Sequence, residues 1–471
     1  MKIPKPVFRR CRVLFICMFL LLSIPMLAQQ LPFYPAPPSD STRGLPLQER
    51  IPRKRFGRAT FELGLAEALP FLSDRYVRNV DYAQIDFHSI GYNLSPLSWT
   101  WDDDEFGTNQ FAHPFHGSIF YNSFRSNGYS FWQSIPATAA GSYLWETFAE
   151  KQYPSPNDFI NTTFGGIVLG EMTHRLANKI VNNRRRGFRR QVNEIVALLI
   201  NPMNGFNRIL DRRWGKMMQN SKERDSSKIY AEFDIGQRKF NSNAKLAPRY
   251  GWYGRMRFLY GTPFQNYRKP FSNISITTEF GRDDSSLINT MSVHGSLAGW
   301  PVKKDSLMES YAILSTNYDY IHNEAFFYSA QSVKINLMTN FGLMRKAKIN
   351  TNAGLGAILL AAIPDPYHYG VRAYDYGSGF SYGASAGLNI ADRFYYGFNY
   401  RGAWVVTVNG NPSHYFLHAV TNELRYMFIK NVSISAEPGY FTLRGHYKNL
   451  PDVNKSYPYI RLSARYHLNA Q

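Results

Sequence analysis

The chain is poor in cysteine: only Cys11 and Cys17 occur among 471 residues. Both fall in the first 28 residues, which read as an export signal. The rest of the chain can form neither disulfides nor thiolate metal sites. Long apolar runs are missing too. After residue 28 no stretch of eighteen apolar residues occurs, and mean hydropathy is −0.35, which speaks against helical membrane spans. Acids are outnumbered, 34 against 54 Lys and Arg, for a formal net charge of +20. Signatures of catalysis are absent: no Gly-x-Ser-x-Gly elbow, no P-loop, no dinucleotide fingerprint and no His-Glu-x-x-His.

The features that are present begin with an envelope address. Lys2, Lys5, Arg9, Arg10 and Arg12 precede an apolar run over residues 13–27, and Ala28 precedes Gln29. A positive start, a short apolar run and a small residue at the cut predict a signal peptide over 1–28, cleaved after Ala28. Ile16 before Cys17 argues against lipidation. Removing five positive charges from +20 leaves +15 on the mature chain. An exported basic chain meets no nucleic acid. Its expected partners are outer-membrane lipids or lipopolysaccharide phosphates, besides an unidentified envelope protein. No cofactor and no metal are expected.

The end of the chain alternates. Ile460, Leu462, Ala464, Tyr466 and Leu468 are separated by Arg461, Ser463, Arg465 and His467. A period of two places the first set on one face of a strand and the second on the other. Similar patterns mark 229–235, 250–260, 274–280, 382–390 and 394–400. Turn signals stand at Gly281-Arg282-Asp283-Asp284, Pro364-Asp365-Pro366 and Asn409-Gly410-Asn411-Pro412. Aromatics make up 16% of the chain, as suits interfacial girdles. Residues 227–471 therefore predict an antiparallel transmembrane β-barrel of about twelve strands in the bacterial outer membrane.

Residues 29–58 form a proline-rich and then basic linker, with Pro32, Pro35, Pro37, Pro38 and Pro46 before Arg50, Arg53, Lys54, Arg55 and Arg58. Residues 59–220 predict a helical module, so the fold class is α+β. One helix over 59–69 carries Phe61, Leu65 and Leu69 and is ended by Pro70. A second covers 131–150. A third starts with Ser155 as N-cap and Pro156 at the first helical position, and a fourth covers 191–200. Ala139-Ala140-Gly141, Gly165-Gly166 and Gly170 suit close packing of the second helix on the third.

Polar residues in this module are the candidates for chemistry. Asp102-Asp103-Asp104-Glu105 does not match the EF-hand spacing and reads as a solvated turn. His113 and His116 flank Pro114, which predicts an irregular stretch. Glu146 and Glu150 share a face of the second helix by spacing, and burial would fit one of them for acid–base work. Asp158 is either a third acid or a favourable first-turn charge. Glu171 and Arg175 predict a local ion pair. Two basic clusters, Arg184, Arg185, Arg186, Arg189 and Arg190, then Arg212 and Arg213, are either solvated connectors or a surface for lipid phosphates.

The succession Ala112-His113-Pro114, Gly117, Tyr121, Arg125, Trp145-Glu146, Glu150, Pro154-Ser155, Asp158, Thr163-Phe164-Gly165-Gly166 and Leu169-Gly170-Glu171 resembles a bacterial family called domain of unknown function 3943. Asn201-Pro202, Gly205 and Asn207-Arg208 extend the likeness, which spans roughly 80–215. The resemblance implies an exported envelope protein and no particular activity. A weaker likeness is to VanZ-like proteins, through Glu146 or Glu150 followed by Asp158, Thr162 and Gly165, with Thr162 where that pattern has Asn. Three functions fit these features: a non-enzymatic barrel for envelope maintenance or passage of a small or lipid-like molecule; a membrane-embedded lipid- or glycan-modifying enzyme using Glu146, Asp158, His113 and His116; and a scaffold binding lipopolysaccharide or a partner. The helical module is expected at the periplasmic mouth or in the lumen.

Overall fold

The computed structural model describes residues 53–470, apart from 105, 222–223, 225–226, 242–246, 265–266, 284–285 and 345–346. The export signal, most of the linker and Glu105 lie outside the described residues. The chain divides into two compact units. One combines residues up to Thr100 with Ala112–Ser226, and the other combines Trp101–Phe111 with Ser227–Gln471.

The second unit is a closed barrel of twelve strands: β1 Ile229–Phe240, β2 Arg249–Tyr260, β3 Ile274–Asp283, β4 Ser286–Lys304, β5 Met308–His322, β6 Phe327–Met344, β7 Ala347–Tyr369, β8 Arg372–Ile390, β9 Phe394–Asn409, β10 Ser413–Ile429, β11 Val432–Tyr447 and β12 Val453–Ala470. Each strand pairs antiparallel with the next, and β1 closes on β12 from Ile229↔Ala470 to Phe240↔Tyr459. Each of the six stretches read from alternation lies inside one of these longer strands. The expected turn at Pro364-Asp365-Pro366 does not form. Strand β7 runs through it, and its pairing to β8 shifts register between Pro364 and Tyr369. Proline has no N–H for the ladder, so this stretch sits in an irregularity instead of ending the strand.

Alternation fixes the two faces. Leu462 is 60% exposed, whereas Arg461 and Arg465 on either side are buried. Inside, the barrel has two zones. Near the end where Ile229 and Ala470 meet, the lumen holds charged side chains. Toward the opposite end it holds apolar and aromatic ones, among them Phe240, Ile321, Tyr328, Ile363, Val405, Phe441 and Tyr457.

The first unit is helical: α1 Phe56–Leu72, α2 Phe87–Asn93, α3 His113–Arg125, α4 Phe131–Phe148, α5 Pro156–Ile160, α6 Gly166–Ile180, α7 Phe188–Ile200 and α8 Pro202–Leu210. Pro70 does not end α1, which continues to Leu72 and then into a π-turn at Ser73–Val77. Pro114 sits in the first turn of α3, where no intrahelical N–H is needed, so the stretch expected to be irregular is helical. As read from sequence, Ser155 caps α5 by accepting from the Asp158 backbone N–H. A π-turn at Asn161–Gly165 joins α5 to α6.

The small residues do not pair α4 with α6. Both helices pack on α3. A Cβ on Gly166 would lie 2.5 Å from the Gly117 carbonyl carbon, one on Gly117 would lie 1.9 Å from the Thr162 carbonyl oxygen, and one on Gly141 would meet the Phe120 ring. Only glycine permits this approach.

This unit has an apolar core that includes Leu63, Phe120, Leu176 and Val196, but it also buries charged side chains and exposes large apolar ones. Glu62, Arg125, Glu171, Arg190, Glu194 and Arg208 are buried, while Phe61 and Leu69 of α1 are each 62% exposed. The stripe that identifies α1 therefore faces outward, and Glu62, Leu63 and Ala66 face inward. Among the described residues, no helix is long and apolar enough to cross a membrane.

Candidate functional site

The tightest grouping of predicted residues lies where α3 meets α5 and the π-turn after it. His113 Nε2 stands 3.4 Å from Asp158 Oδ1. Its Nδ1 is 3.1 Å from Thr162 Oγ1. Asp158 also accepts from Asn157 Nδ2 at 3.0 Å. With the ring proton on Nε2, Thr162 donates its hydroxyl proton to Nδ1 while Nε2 stands at ion-pair distance from the carboxylate. Hydroxyl, imidazole and carboxylate then stand in the order used to activate a nucleophile. Asp158 and Thr162 are buried, and His113 is partly exposed.

The other candidates are dispersed. His116 Nε2 lies 3.0 Å from the Ala66 carbonyl oxygen, to which it donates, and its ring packs on Phe120 and Trp145. Burial lowers its pKa to about 4, against the pull of that carbonyl, so it is neutral near pH 7. Glu146 accepts from the Ser155 backbone N–H at 3.0 Å. Glu150 accepts from Trp145 Nε1 at 2.7 Å. Helix α4 ends at Phe148, so Glu146 and Glu150 do not share a helical face. Asp102 accepts from the Asp104 backbone N–H and from Asn109 Nδ2. No group of three or more His, Cys, Asp or Glu among the described residues could hold a metal.

Glu171 forms more than the expected pair. Its carboxylate accepts from Arg125 Nε at 2.8 Å, Arg175 Nε at 2.9 Å and Tyr121 OH at 2.8 Å. Burial pushes its pKa up, but Arg125 and Arg175 outweigh burial and hold it below the usual carboxylate range. Gly165, Gly166 and Gly170 bring α3 and α6 close enough for this, resting on Pro114, Gly117 and Tyr121.

Arg190 is buried and out of reach of lipid. It bonds Glu194 at 2.7 Å and Asn183 at 2.8 Å, and Arg208 bonds Glu194 through two nitrogens. Its burial comes from the 3.6-residue period of α7, which turns Arg190 and Glu194 to the same inner side. Arg184, Arg185, Arg186, Arg189 and Arg212 are exposed, and Arg213 bonds Asp211 at 2.9 Å. The two basic clusters are neighbours: Asn183 bonds Gln219 and Asn220, and Trp214 bonds Gln191.

Sequence reasoning missed the charge lattice of the lumen. Asp234 binds Arg255 and Arg465; Glu437 binds Arg255 and Arg461; Arg461 also binds Glu279; Glu423 binds Arg257 and Arg465. Some contacts cross the lumen between strands that are not neighbours. Arg257 of β2 reaches Glu423 of β10 at 3.1 Å, and Arg401 of β9 reaches Ser292 of β4 at 2.8 Å. Period-two charges such as Arg461 and Arg465 carried the signal, but cross-lumen partners are not encoded by spacing.

Segment 101–111 lies on the outer wall of the barrel. Asp319 of β5 faces the lumen, where Lys334 and Arg401 meet it. Its neighbours Tyr318 and Tyr320 therefore point outward. Phe106 packs against Tyr320, Phe327 and Tyr374. Asn109 Nδ2 bonds the hydroxyls of Tyr374 and Tyr376 at 3.0 and 2.8 Å, and Gln110 accepts from Ser329 at 2.7 Å. A polar, tyrosine-rich strip of the wall is thus clad by the chain itself.

The family model for domain of unknown function DUF3943 matches residues 98–203. The likeness to VanZ-like proteins finds no support there. A search of curated proteins gives no match. Solved structures similar to the barrel include the NanC porin, at 10% identity and TM-score 0.29, covering 49% of this chain and 98% of that one. The KdgM porin is similar at 12% identity and TM-score 0.23, covering 50% and 98%. The outer-membrane channel DcaP of Acinetobacter baumannii is similar at 7% and 0.24, covering 51% and 97%.

Proposed function

We propose that this chain is a bacterial outer-membrane β-barrel, exported by a signal cleaved after Ala28, with a non-enzymatic role in envelope maintenance or the passage of a small or lipid-like molecule. One observation carries the reading: a closed twelve-stranded barrel, apolar outward at positions such as Leu462 and charged in one zone of its lumen. Its lumen is crossed by ion pairs, so a solute passes only when contacts such as Arg257–Glu423 part. The test is fractionation and reconstitution. The protein should separate with outer membranes, migrate faster unheated than boiled, and give ion conductance in a planar bilayer. Recovery as a soluble periplasmic protein would sink the barrel reading; a membrane barrel without conductance would remove passage and leave envelope maintenance.

The Asp158–His113–Thr162 grouping favours a second reading, a lipid- or glycan-modifying enzyme. Asp158→Asn and Glu146→Gln, each complementing a deletion strain fully, would remove both acids from catalysis. Loss of complementation with a heat-modifiable barrel intact would support it.

A further inference from the structure

We infer that the helical unit is seated in lipid, with its apolar outer face among acyl chains and its basic end on anionic headgroups. The inference rests on the membrane barrel proposed above and extends it to residues 53–100 and 112–226. Exposed apolar side chains are the first observation. A unit surrounded by water hides its apolar stripes, yet here Phe61 and Leu69 of α1, Leu199 of α7, and Ile209 and Leu210 of α8 are exposed, while charged side chains are hidden. The hidden charges are paired: Glu171 with Arg125 and Arg175, and Glu194 with Arg190 and Arg208. Charges shielded by protein and matched by opposite charges are what an apolar surrounding requires.

Charge complementarity is the second observation. Arg184, Arg185, Arg186, Arg189 and Arg212 are exposed beside the apolar faces of α7 and α8. Those two helices touch where Gly205 meets Leu198. Guanidinium groups at the rim of an apolar face fit phosphate headgroups at the edge of an acyl layer. Phe188, 82% exposed among these arginines, fits the same boundary. No described helix is long and apolar enough to cross, and the seat inferred is within one leaflet and its headgroup layer.

The test uses the full chain with Cys11 and Cys17 changed to Ser, so that single cysteines are unique. Spin labels are placed at Phe61→Cys, Leu69→Cys and Ile209→Cys, and at Leu462→Cys as the barrel-wall reference. The protein is reconstituted in nanodiscs of phosphatidylethanolamine and phosphatidylglycerol. Collision with oxygen is compared with collision with a water-soluble nickel chelate. The expected result is an oxygen-over-nickel ratio at 61, 69 and 209 as high as at 462. Charge reversal of Arg184, Arg185, Arg186 and Arg189 together should lower the ratio at 209 and leave 462 unchanged; no change at 209 would overturn the headgroup contact. Nickel-dominated collision at 61, 69 and 209 with a lipid signal at 462 would overturn the seat. Shielding from both reagents would also overturn it and assign the face to a protein partner or a second copy. A water signal at 462 itself would overturn the barrel reading, a separate outcome.

Discussion

Arg401 on β9 donates to Ser292 on β4 across the lumen, at 2.8 Å, and stands 3.6 Å from Asp319 on β5. One side chain thus ties opposite walls of the barrel together. Arg401→Ala should raise ion conductance in planar bilayers above that of the wild type. Arg393→Ala, in the exposed turn between β8 and β9, should leave it unchanged. Equal conductance in both variants would place the constriction elsewhere, in the aromatic zone around Tyr457 and Phe441.

Leu462 projects outward between the buried Arg461 and Ser463. Leu462→Arg should destabilise the barrel by about 2–4 kcal/mol if the site lies near the bilayer midplane. Leu462→Phe should be close to neutral. Folding titrations in lipid vesicles measure both. An arginine tolerated as well as phenylalanine would mean that this wall does not face lipid.

Glu171 neutralises two arginines in the helical unit. Glu171→Gln keeps the shape but leaves Arg125 and Arg175 facing an amide, at an expected cost of about 3–5 kcal/mol. Limited proteolysis should then cut the helical unit earlier, while the heat-modifiability of the barrel persists. Unchanged protection would show that Tyr121 and the backbone suffice to hold α3 on α6.

Glu62 gives the helical unit a pH dependence. Burial raises its pKa to about 7, against hydrogen bonds from Asn127 and Asn207 and the charge of Arg58. The unfolded chain ionises this group near 4.5, so the native state holds the extra proton in between. The stability it contributes is full below about pH 4.5 and is lost as pH rises through about 7, on the order of 3 kcal/mol. Glu62→Gln should flatten the decline in thermal stability across that window. An identical slope in both proteins would assign the dependence to another group, with Glu67, raised by burial to about 8, the first to test.

The barrel was legible because its rule is local. Alternation around Ile460 and Leu462 depends on neighbours two residues apart, and twelve strands result from repeating it. Residues at ladder breaks misled, as Pro364 did, because a turn signal and a strand irregularity use the same residue. Helix boundaries at Pro70 and Pro114 misled for the same reason. In the helical unit, Phe61, Leu65 and Leu69 marked the helix correctly, but periodicity does not say which side of a stripe is inside. Arg190 was read as a surface charge because its partners, Glu194 and Asn183, are brought to it only by the fold. The His113–Thr162 contact depends on a glycine-to-backbone approach between α3 and the π-turn, and spacing along the chain does not encode it.

The β1–β12 pairing joins residues separated by more than two hundred positions. Closing so long a loop costs more chain entropy than any hairpin between consecutive strands. Until that seam is made, both edge strands offer unpaired backbone to any neighbour. The tyrosine strip on β5 and β8 takes its cladding from segment 101–111, whose hydrogen bonds to the wall reach β6 and β8 and not the seam. A chain truncated short of β12 would keep both the strip and its cladding and lose only the closure.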